Sequence, residues 1–407
     1  MKTHIWRIGL LACILMGCTG ASLCAQEALP DLLRKRLLLM EEVAAYKRRQ
    51  GEAVEDRVRE AAVVEAATAM ALMQGLNPVG VRRLFITQIE AAKDIQRYWL
   101  KRWEQSGPPP RDGPNLEEIR AELNRLGKAI VASAARQCVW QRADLESALA
   151  VDGLSLARRD EIISAIAGLE RYDSRLDQVL DTGVLRVGTT GDYPPFTYRA
   201  SGEGPFEGLD IDLARDLAGA LGVEVVFVQT AWPTLMDDLK AGRFDIAMGG
   251  ISRTLERQRF GFFSIPYHAD GKTAIARCSD KTKFRSLAEI DRPNVRVIVN
   301  PGGTNEKFVD AHIQRATKVL HQDNRTIFEA LVSGQADLMI TDQIEAHWQA
   351  AKDPRLCVTM ADILNYQEKA YLLPRDMPLK AFVDYWLASR IARGDIAQLL
   401  TPPERKP

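Results

Sequence analysis

The sequence predicts two domains of different fold class, an all-α domain over residues 26–172 and an α/β domain over residues 173–407. Up to about Tyr172, apolar residues recur every three or four positions, which is the period of an amphipathic helix. After Tyr172, short β-rich runs alternate with amphipathic helical stretches. A length of 407 residues also exceeds what one ordinary hydrophobic core accommodates.

Breaks in the helical pattern divide the first domain. They fall at Gly51, at residues 76–78, across residues 106–114 and near Asp152-Gly153. Because Gly and Pro interrupt helices, we expect four substantial helices and a shorter fifth. In the second domain six runs have the composition of strands, namely residues 184–187, 223–228, 244–248, 295–299, 336–340 and 370–373.

Residues 1–25 have the features of a secretory signal peptide. Lys2 and Arg7 precede an apolar run at residues 8–16, and small residues follow. We therefore expect export to the periplasm. Residues 15–18, which end at Cys18, also resemble a loose lipoprotein box, so a lipid anchor is the alternative. No other apolar run reaches the ~20 residues of a membrane span.

The composition favours small-molecule ligands. The 54 Lys and Arg residues balance the 54 Asp and Glu residues, so the formal net charge is zero, and no basic excess indicates nucleic acid as a partner. No CxxC motif or His cluster predicts a metal site, and we expect no cofactor.

Three cysteines lie outside the signal region: Cys138, Cys278 and Cys357. An exported protein folds in an oxidising compartment, so one disulfide is expected. Cys278 and Cys357 fall in the same domain, and we pair them with each other. Cys138 then remains as a buried thiol.

The first helix carries two cations on one face. Arg36 and Lys47 are eleven residues apart, which at 100° per residue places them at nearly the same azimuth, three turns from each other. Two cations on one face favour an anion between them. The alternative is that both are solvated, as is common for Arg and Lys on helix surfaces.

Three segments of this domain, residues 36–47, 54–60 and 85–93, resemble the all-helical chorismate mutases. They are most similar to the exported subgroup, which adds C-terminal helices. The resemblance implies that fixed cations stabilise the negative charge that builds on the ether oxygen as chorismate rearranges to prephenate.

The resemblance also assigns roles to individual residues. They are carboxylate binding by Arg36 and Arg59, hydrogen bonding to the ether oxygen by Lys47 and Gln96, contact with the ring hydroxyl by Glu60, and completion of the pocket by Arg125 of the fourth helix. The family usually has Ser or Thr where this chain has Ala92, four residues before Gln96. We expect the missing hydroxyl to weaken activity without abolishing it.

The second domain contains a series of motifs that resembles the extracellular solute-binding proteins for polar amino acids. The motifs are residues 191–196, 208–212, 244–247, 254–257, 263–267, 300–304 and 336–338. The resemblance implies a two-lobed α/β fold like that of the type II periplasmic binding proteins, with the ligand in the cleft. It also implies that Arg257 and the helix start at Thr304 hold a carboxylate, and that Asp342 receives an amino group.

Within this fold, residues 190–193, 299–308 and 368–376 look more like cyclohexadienyl dehydratase than like a transport receptor. This resemblance implies dehydration of prephenate, and possibly of arogenate. Glu306 places a carboxyl near the cleft, and we expect it to be the general acid that protonates the departing hydroxyl.

Three further residues, Asp192, Ser252 and Lys369, are expected in the substrate site. If Glu306 is not the acid, Asp192 or Lys369 is the next candidate. The alternative function is an amino-acid receptor fused to a mutase-like helical adaptor, which would bind an amino acid without consuming it. A homodimer is a further possibility, because helical mutases often dimerise.

Overall fold

A computed structural model describes residues 27–107, 115–136, 140–200 and 204–400. The predicted signal peptide and Cys138 lie outside these ranges. Two compact units are formed. One contains the chain up to Ala67 and from Arg83 to Ala167, and the other contains Thr68–Arg82 and the chain from Gly168 onward.

The N-terminal half is helical throughout its described residues. Its helices are α1 (Leu29–Leu38), α2 (Met40–Gln50), α3 (Arg57–Met73), α4 (Pro78–Ser106), α5 (Leu116–Ala135), α6 (Arg142–Ala148) and α7 (Leu156–Ala167). Helix α2 ends at Gly51, whose φ of 68° lies in the left-handed region that favours glycine. Helix α5 begins after Asn115, whose side chain accepts a hydrogen bond from the Glu118 backbone N–H.

Two features of these helices differ from the prediction. The first expected helix is divided at Leu39 into α1 and α2, and α5, the start of the fourth expected helix, ends at Ala135, before α6. Helix α1 packs against α5 and α6, and the apolar faces between them are buried. Leu29, Leu33 and Leu37 of α1 have almost no exposed surface, as is also true of Leu126 and Ile130 of α5.

The C-terminal half alternates helices with strands. Its helices are α8 (Arg175–Thr182), α9 (Leu209–Leu221), α10 (Leu235–Lys240), α11 (Leu255–Gln258), α12 (Leu287–Ile290), α13 (Thr304–His312), α14 (Ile327–Val332), α15 (Gln343–Lys352), α16 (Met377–Ala392) and α17 (Asp395–Leu399). Its strands are β1 (Val184–Thr189), β2 (Asp192–Tyr193), β3 (Thr197–Tyr198), β4 (Glu224–Gln229), β5 (Ile246–Ala247), β6 (Phe262–Phe263), β7 (His268–Asp270), β8 (Lys272–Arg277), β9 (Arg296–Val299), β10 (Thr317–Leu320), β11 (Leu338–Asp342), β12 (Leu356–Val358), β13 (Gln367–Lys369) and β14 (Leu372–Leu373).

Two five-stranded sheets form the cores of two lobes. The strand order is β4-β1-β5-β14-β6 in the first lobe and β10-β9-β11-β8-β12 in the second. The chain passes from the first lobe to the second through β7 and returns through β13, and these two strands pair antiparallel. The two-lobed α/β fold predicted from the sequence is confirmed.

Alternating side chains cover both faces of the second-lobe sheet. Val297 and Val299 face one apolar cluster, whereas Ile298, between them on β9, faces the other. This alternation is what a strand buried on both sides requires. Cys278, just after β8, and Cys357, on the paired strand β12, form a disulfide, the pairing expected from the sequence. Among the described residues, no helix is both long and apolar enough to cross a bilayer.

Candidate active sites

Three cations of the helical domain lack carboxylate partners. Arg36 is 8% exposed, and its Nη1 donates to the Leu123 carbonyl at 3.2 Å. The Lys47 Nζ donates to the Val54 carbonyl at 2.5 Å, and the Arg59 Nη2 donates to the Asn124 Oδ1 at 2.9 Å. Within the described parts of the chain, none of these three cations forms an ion pair.

The electrostatics of this group favour an anion. Burial, and then the nearby charge of Arg59, lower the pKa of Arg36 to about 10. Burial also lowers the pKa of Lys47. A lowered pKa means that too little negative charge lies near the cation to offset its burial. A bound anion would supply that charge and raise the pKa again. The structure therefore brings Arg36, Lys47 and Arg59 together as an anion-binding group, which we call the mutase cluster.

Gln96 borders this cluster from α4. Its Nε2 donates to the Ala92 carbonyl at 3.1 Å and lies 3.7 Å from the Met40 Sδ. Its buried Oε1 has no hydrogen-bond partner among the described residues. The Gln96 amide therefore has one buried atom, Oε1, that the described residues leave unsatisfied.

Glu60 has a structural role that the sequence did not predict. Its Oε1 accepts from the Asp56 backbone N–H at 3.1 Å, and the Asp56 Oδ1 accepts from the Arg59 backbone N–H at 3.0 Å. This reciprocal pair caps the start of α3. The other Glu60 oxygen lies 3.3 Å from the Lys93 Nζ, so the carboxylate already has two partners.

Arg125, which the sequence predicts to complete the pocket, pairs with Glu122 in this structure. Its side chain is 56% exposed and makes two 2.7 Å hydrogen bonds to Glu122, one turn earlier on α5. The α5 residues that reach the cluster are Leu123 and Asn124. Arg120, four residues before Asn124 and so on the same face, is close enough to lower the pKa of Lys47.

The second candidate site is a nearly closed cleft in the α/β domain, with a cavity volume of about 20 Å³. Its lining is formed by Tyr193, Trp232, Gly250, Ser252, Arg257, Asn300, Gly303, Thr304, Asn305, Asn324, Asp342 and Lys369. Five of the predicted residues are among these: Ser252, Arg257, Thr304, Asp342 and Lys369.

Asp342 lies at the centre of a buried charge network. It accepts hydrogen bonds from Lys272, Lys369 and the Tyr193 hydroxyl. Burial alone would raise the pKa of Asp342, but the charges and hydrogen bonds of the two lysines outweigh burial and hold it well below its usual range. Asp342 is therefore ionised and paired on both oxygens.

The two lysines connect Asp342 to the rest of the cleft. Lys272 also donates to the Thr304 Oγ1 at 2.9 Å and to Asn305, at the start of α13. Lys369 donates to the Ser252 Oγ at 3.0 Å. Because these contacts span both lobes, the network fixes the closed arrangement of the cleft.

Arg257 is the cleft residue suited to bind a carboxylate. Its Nη1 donates to the Ser252 carbonyl at 2.9 Å, and it forms no ion pair within the described ranges. Burial lowers the pKa of Arg257 to about 10. The Arg257 guanidinium and the backbone N–H groups at the start of α13 could therefore both donate to one bound anion.

Asp192 lies at the edge of the cleft and is not part of the lining. Its Oδ1 accepts from the Trp232 Nε1 at 3.1 Å, and its carbonyl accepts from Asn324 at 2.9 Å. Burial raises the pKa of Asp192. Trp232 and Asn324 both line the cleft, so Asp192 acts on the site by holding them in place.

Glu306, predicted to be the general acid, is not among the residues that line the cleft. Its Oε2 accepts from the Gly302 backbone N–H at 2.7 Å, and its Oε1 lies 3.2 Å from the Lys318 Nζ. Gly302 has a φ of 78°, and the Glu306 carboxylate holds this left-handed turn before α13. Both oxygens of Glu306 therefore have structural partners on the protein.

The sequence prediction missed Glu345, a buried carboxyl on α15. It is 1% exposed, its Oε2 accepts from the Thr341 hydroxyl, and its Oε1 has no partner among the described residues. Burial, with a smaller contribution from Asp342, raises the pKa of Glu345 to about 8. Its position in the first turn of α15 favours the ionised form, but burial dominates.

Glu345 is connected to the cleft through Thr341, whose hydroxyl also accepts from the lining residue Asn305 at 3.1 Å. The sequence does contain a signal for it. Glu345 follows Asp342 by three residues, directly after the buried strand β11, so both carboxyls fall on one turn at the strand's carboxyl end.

Two family models match this chain, one over each half. Residues 185–401, more than half of the chain, match the bacterial extracellular solute-binding proteins, family 3. The chain belongs to this family. Its N-terminal half carries a second match, to chorismate mutase type II, over residues 26–97. This second match contains Arg36, Lys47, Arg59 and Gln96.

Relatives of this solute-binding protein family member include an enzyme and receptors. The cyclohexadienyl dehydratase of Pseudomonas aeruginosa is 54% identical over 224 residues, which are 55% of this chain and 83% of that enzyme. The histidine-binding periplasmic protein of Escherichia coli is 30% identical over 174 residues. These are 42% of this chain and 65% of that receptor.

Among solved structures, the crystal structure of the ancestral amino acid-binding protein AncCDT-1, a precursor of cyclohexadienyl dehydratase, is similar to the α/β domain. It is 34% identical, with a TM-score of 0.52, and the match covers 56% of this chain and 97% of that protein. The solute-binding fold thus accommodates both binding and catalysis, and side chains in the cleft must distinguish between them.

Proposed function

We infer that the chain is a bifunctional enzyme on the route to phenylalanine. The helical domain rearranges chorismate to prephenate, and the α/β domain converts prephenate to phenylpyruvate. The chorismate mutase match and the 54% identity to a cyclohexadienyl dehydratase support this pair of activities. The observation that carries the second activity is the buried carboxyl of Glu345, whose pKa of about 8 keeps it protonated at neutral pH beside an anion-binding cleft.

The mutase cluster suits the first reaction. Chorismate carries two carboxylates, and Arg36 and Arg59 are cations without carboxylate partners. As the C–O bond breaks and the new C–C bond forms, negative charge develops on the ether oxygen. Lys47 and Gln96 are the donors that we assign to this oxygen, and fixed donors in a dry pocket are worth far more than in water.

The second reaction needs a proton donor and no redox partner. When the ring carboxylate of prephenate leaves as carbon dioxide, its electron pair moves through the ring and expels the hydroxyl at the opposite carbon. The departing oxygen takes one proton and leaves as water. Prephenate plus one proton therefore yields phenylpyruvate, carbon dioxide and water.

We propose Glu345 as the source of that proton, in place of Glu306. Glu306 is engaged with Gly302 and Lys318, whereas the Glu345 Oε1 has no partner and its carboxyl is protonated at neutral pH. Arg257, together with the start of α13, holds the remaining carboxylate. A carboxyl acts as a general acid only when its pKa is raised in this way.

The alternative function, an amino-acid receptor, is disfavoured by the environment of Asp342. A receptor needs a free carboxylate for the ammonium group of its ligand. Here Lys272 binds one Asp342 oxygen and Lys369 binds the other, so an incoming ammonium would have to displace a buried lysine. The family fold is retained, but its ammonium site is filled.

The proposal includes four predictions from the sequence. We propose that the protein is exported to the periplasm, that the domain boundary falls between Tyr172 and Asp173, that a homodimer forms, and that prephenate is the substrate of the α/β domain, with arogenate as the second compound to test. Family membership supports export, because solute-binding proteins of this kind act outside the cytoplasmic membrane.

The test is incubation of the purified full chain with chorismate, with no added cofactor, followed by identification of the products. We expect loss of chorismate and appearance of phenylpyruvate. Parallel incubations with prephenate and arogenate separate the second activity from the first. Binding of an amino acid without any turnover of these three compounds would instead support the receptor.

A further inference from the structure

We propose that Gln88 is a substrate-binding residue of the mutase site, where its side-chain amide donates to a carboxylate of the substrate. The proposal rests on the mutase activity inferred above. It assigns to Gln88 the contact that a hydroxyl at position 92 would make and that Ala92 lacks.

Gln88 is buried without satisfying its amide. Its side chain is 1% exposed, and neither Nε2 nor Oε1 has a hydrogen-bond partner among the described residues. No other side-chain amide in the described ranges has both of its atoms buried and unpaired. Leaving a buried amide without partners is costly, so a partner is expected when the site is occupied.

The helix places Gln88 on the face that borders the cluster. At 100° per residue, Phe85, Gln88, Ala92 and Gln96 fall within an arc of about 80° on α4. The two ends of this stripe, Phe85 and Gln96, contact a residue at the end of α1 and a residue at the start of α2. The Phe85 ring lies 5.8 Å from the Arg36 guanidinium, and the Gln96 Nε2 lies 3.7 Å from the Met40 Sδ.

Gln88 and Ala92 lie along α4 between Phe85 and Gln96, and from this placement we infer that their side chains face the space that Arg36 borders. Ala92 offers no polar group there. The Gln88 amide supplies a neutral N–H donor, which complements a carboxylate held by a poorly compensated Arg36 without adding charge. The alternative is that Gln88 is a buried amide of the core with no ligand.

The two readings predict opposite results for Gln88→Met, which has nearly the same length and no amide. If Gln88 belongs to the core, removing an unpaired amide leaves the KM for chorismate unchanged and raises the melting temperature. If it binds substrate, the KM for chorismate rises about tenfold, and turnover of prephenate by the same chain stays at the wild-type rate.

A rescue variant and a matched control sharpen the test. Gln88→Met combined with Ala92→Ser restores a donor on the same face, and we expect it to recover at least half of the lost affinity on a logarithmic scale. Gln141→Met removes an exposed amide just before α6 and should leave the KM at the wild-type value. Gln88→Asn, which shortens the reach by one methylene, replaces Gln88→Met if that variant does not fold, and its KM should also rise.

An unchanged KM in Gln88→Met, or in Gln88→Asn where it is used, overturns the role of Gln88 if the wild-type chain converts chorismate. A wild-type chain that does not convert chorismate overturns the mutase function itself, and the role of Gln88 with it.

Discussion

The chemistry of both sites depends on buried charged or ionisable side chains that have no oppositely charged partner among the described residues. Arg36 and Arg257 are buried guanidinium groups without carboxylates, and Glu345 is a buried carboxyl without a cation in direct contact. In each case burial shifts the pKa toward the neutral form. Such groups cost stability in the empty protein. A substrate carboxylate would compensate each arginine, and the hydroxyl that leaves prephenate would take the Glu345 proton.

Replacing Glu345 with Gln tests the acid directly. Gln keeps the size of the side chain but has no transferable proton, so we expect kcat for prephenate to fall about 10²-fold or more while chorismate turnover is unchanged. Because the pKa of Glu345 is raised to about 8, the wild-type kcat should hold below pH 8 and fall as pH rises through that value.

The matched control is Glu306→Gln, which alters a carboxylate that pairs with Gly302 and Lys318 outside the cleft. It should retain turnover of prephenate within about threefold. If Glu306→Gln were inactive and Glu345→Gln active, Glu306 and not Glu345 would supply the proton.

A second pair of variants tests the cations of the helical domain. Arg36→Ala removes a buried guanidinium that we assign to a carboxylate of chorismate. We expect kcat/KM for chorismate to fall about 10²- to 10³-fold. Arg125→Ala removes only a solvent-exposed pair with Glu122, so its kcat/KM should stay near wild type. Equal losses of kcat/KM in the two variants would show that Arg125 does take part in the mutase site.

The sequence indicated most of these residues but not their local partners. Arg257, Thr304, Asp342 and Lys369 were expected in the cleft, and they line it. The partners of Arg125 and Glu306 were not predicted, because each finds a partner within one turn or on a neighbouring strand, which side-chain rotamers decide and residue spacing does not.

At the scale of elements, strands within runs of β-branched and apolar residues were predictable, and strands outside such runs were not. The six predicted strands correspond to β1, β4, β5, β9, β11 and β14, because runs of β-branched and apolar residues mark them. Strands of two or three residues, such as β7 and β13, contain no recognisable period. These two strands connect the lobes, and β13 carries Lys369, so the hinge could not be predicted from the sequence.

The disulfide ties β8 to the edge strand β12 and gives an element-scale prediction. It closes a loop of 79 residues, so its loss should lower the free energy of unfolding of the α/β domain by about 2–4 kcal/mol. Urea unfolding of the Cys278→Ala/Cys357→Ala variant measures this change. Alkylation of the denatured chain from residue 26 without reductant should modify one thiol, Cys138. Modification of three thiols would show that the bridge is absent.

At the scale of the molecule, one chain carries two reactions whose product and substrate coincide. The family match over residues 185–401 and the mutase match over residues 26–97 do not overlap, so each reaction has its own residues. A variant that stops one reaction should therefore leave the other intact. The two activities could be inferred from sequence motifs, but the acid of the second required the burial of Glu345, which only the fold reveals.

The most direct measurement is the time course of intermediates when the full-length Glu345→Gln variant is given chorismate alone. We expect chorismate to disappear at the wild-type rate and prephenate to accumulate in an amount equal to the chorismate consumed. Phenylpyruvate should form at least about 10²-fold more slowly than in the wild type. Phenylpyruvate formation at the wild-type rate, or persistence of chorismate, would contradict this expectation.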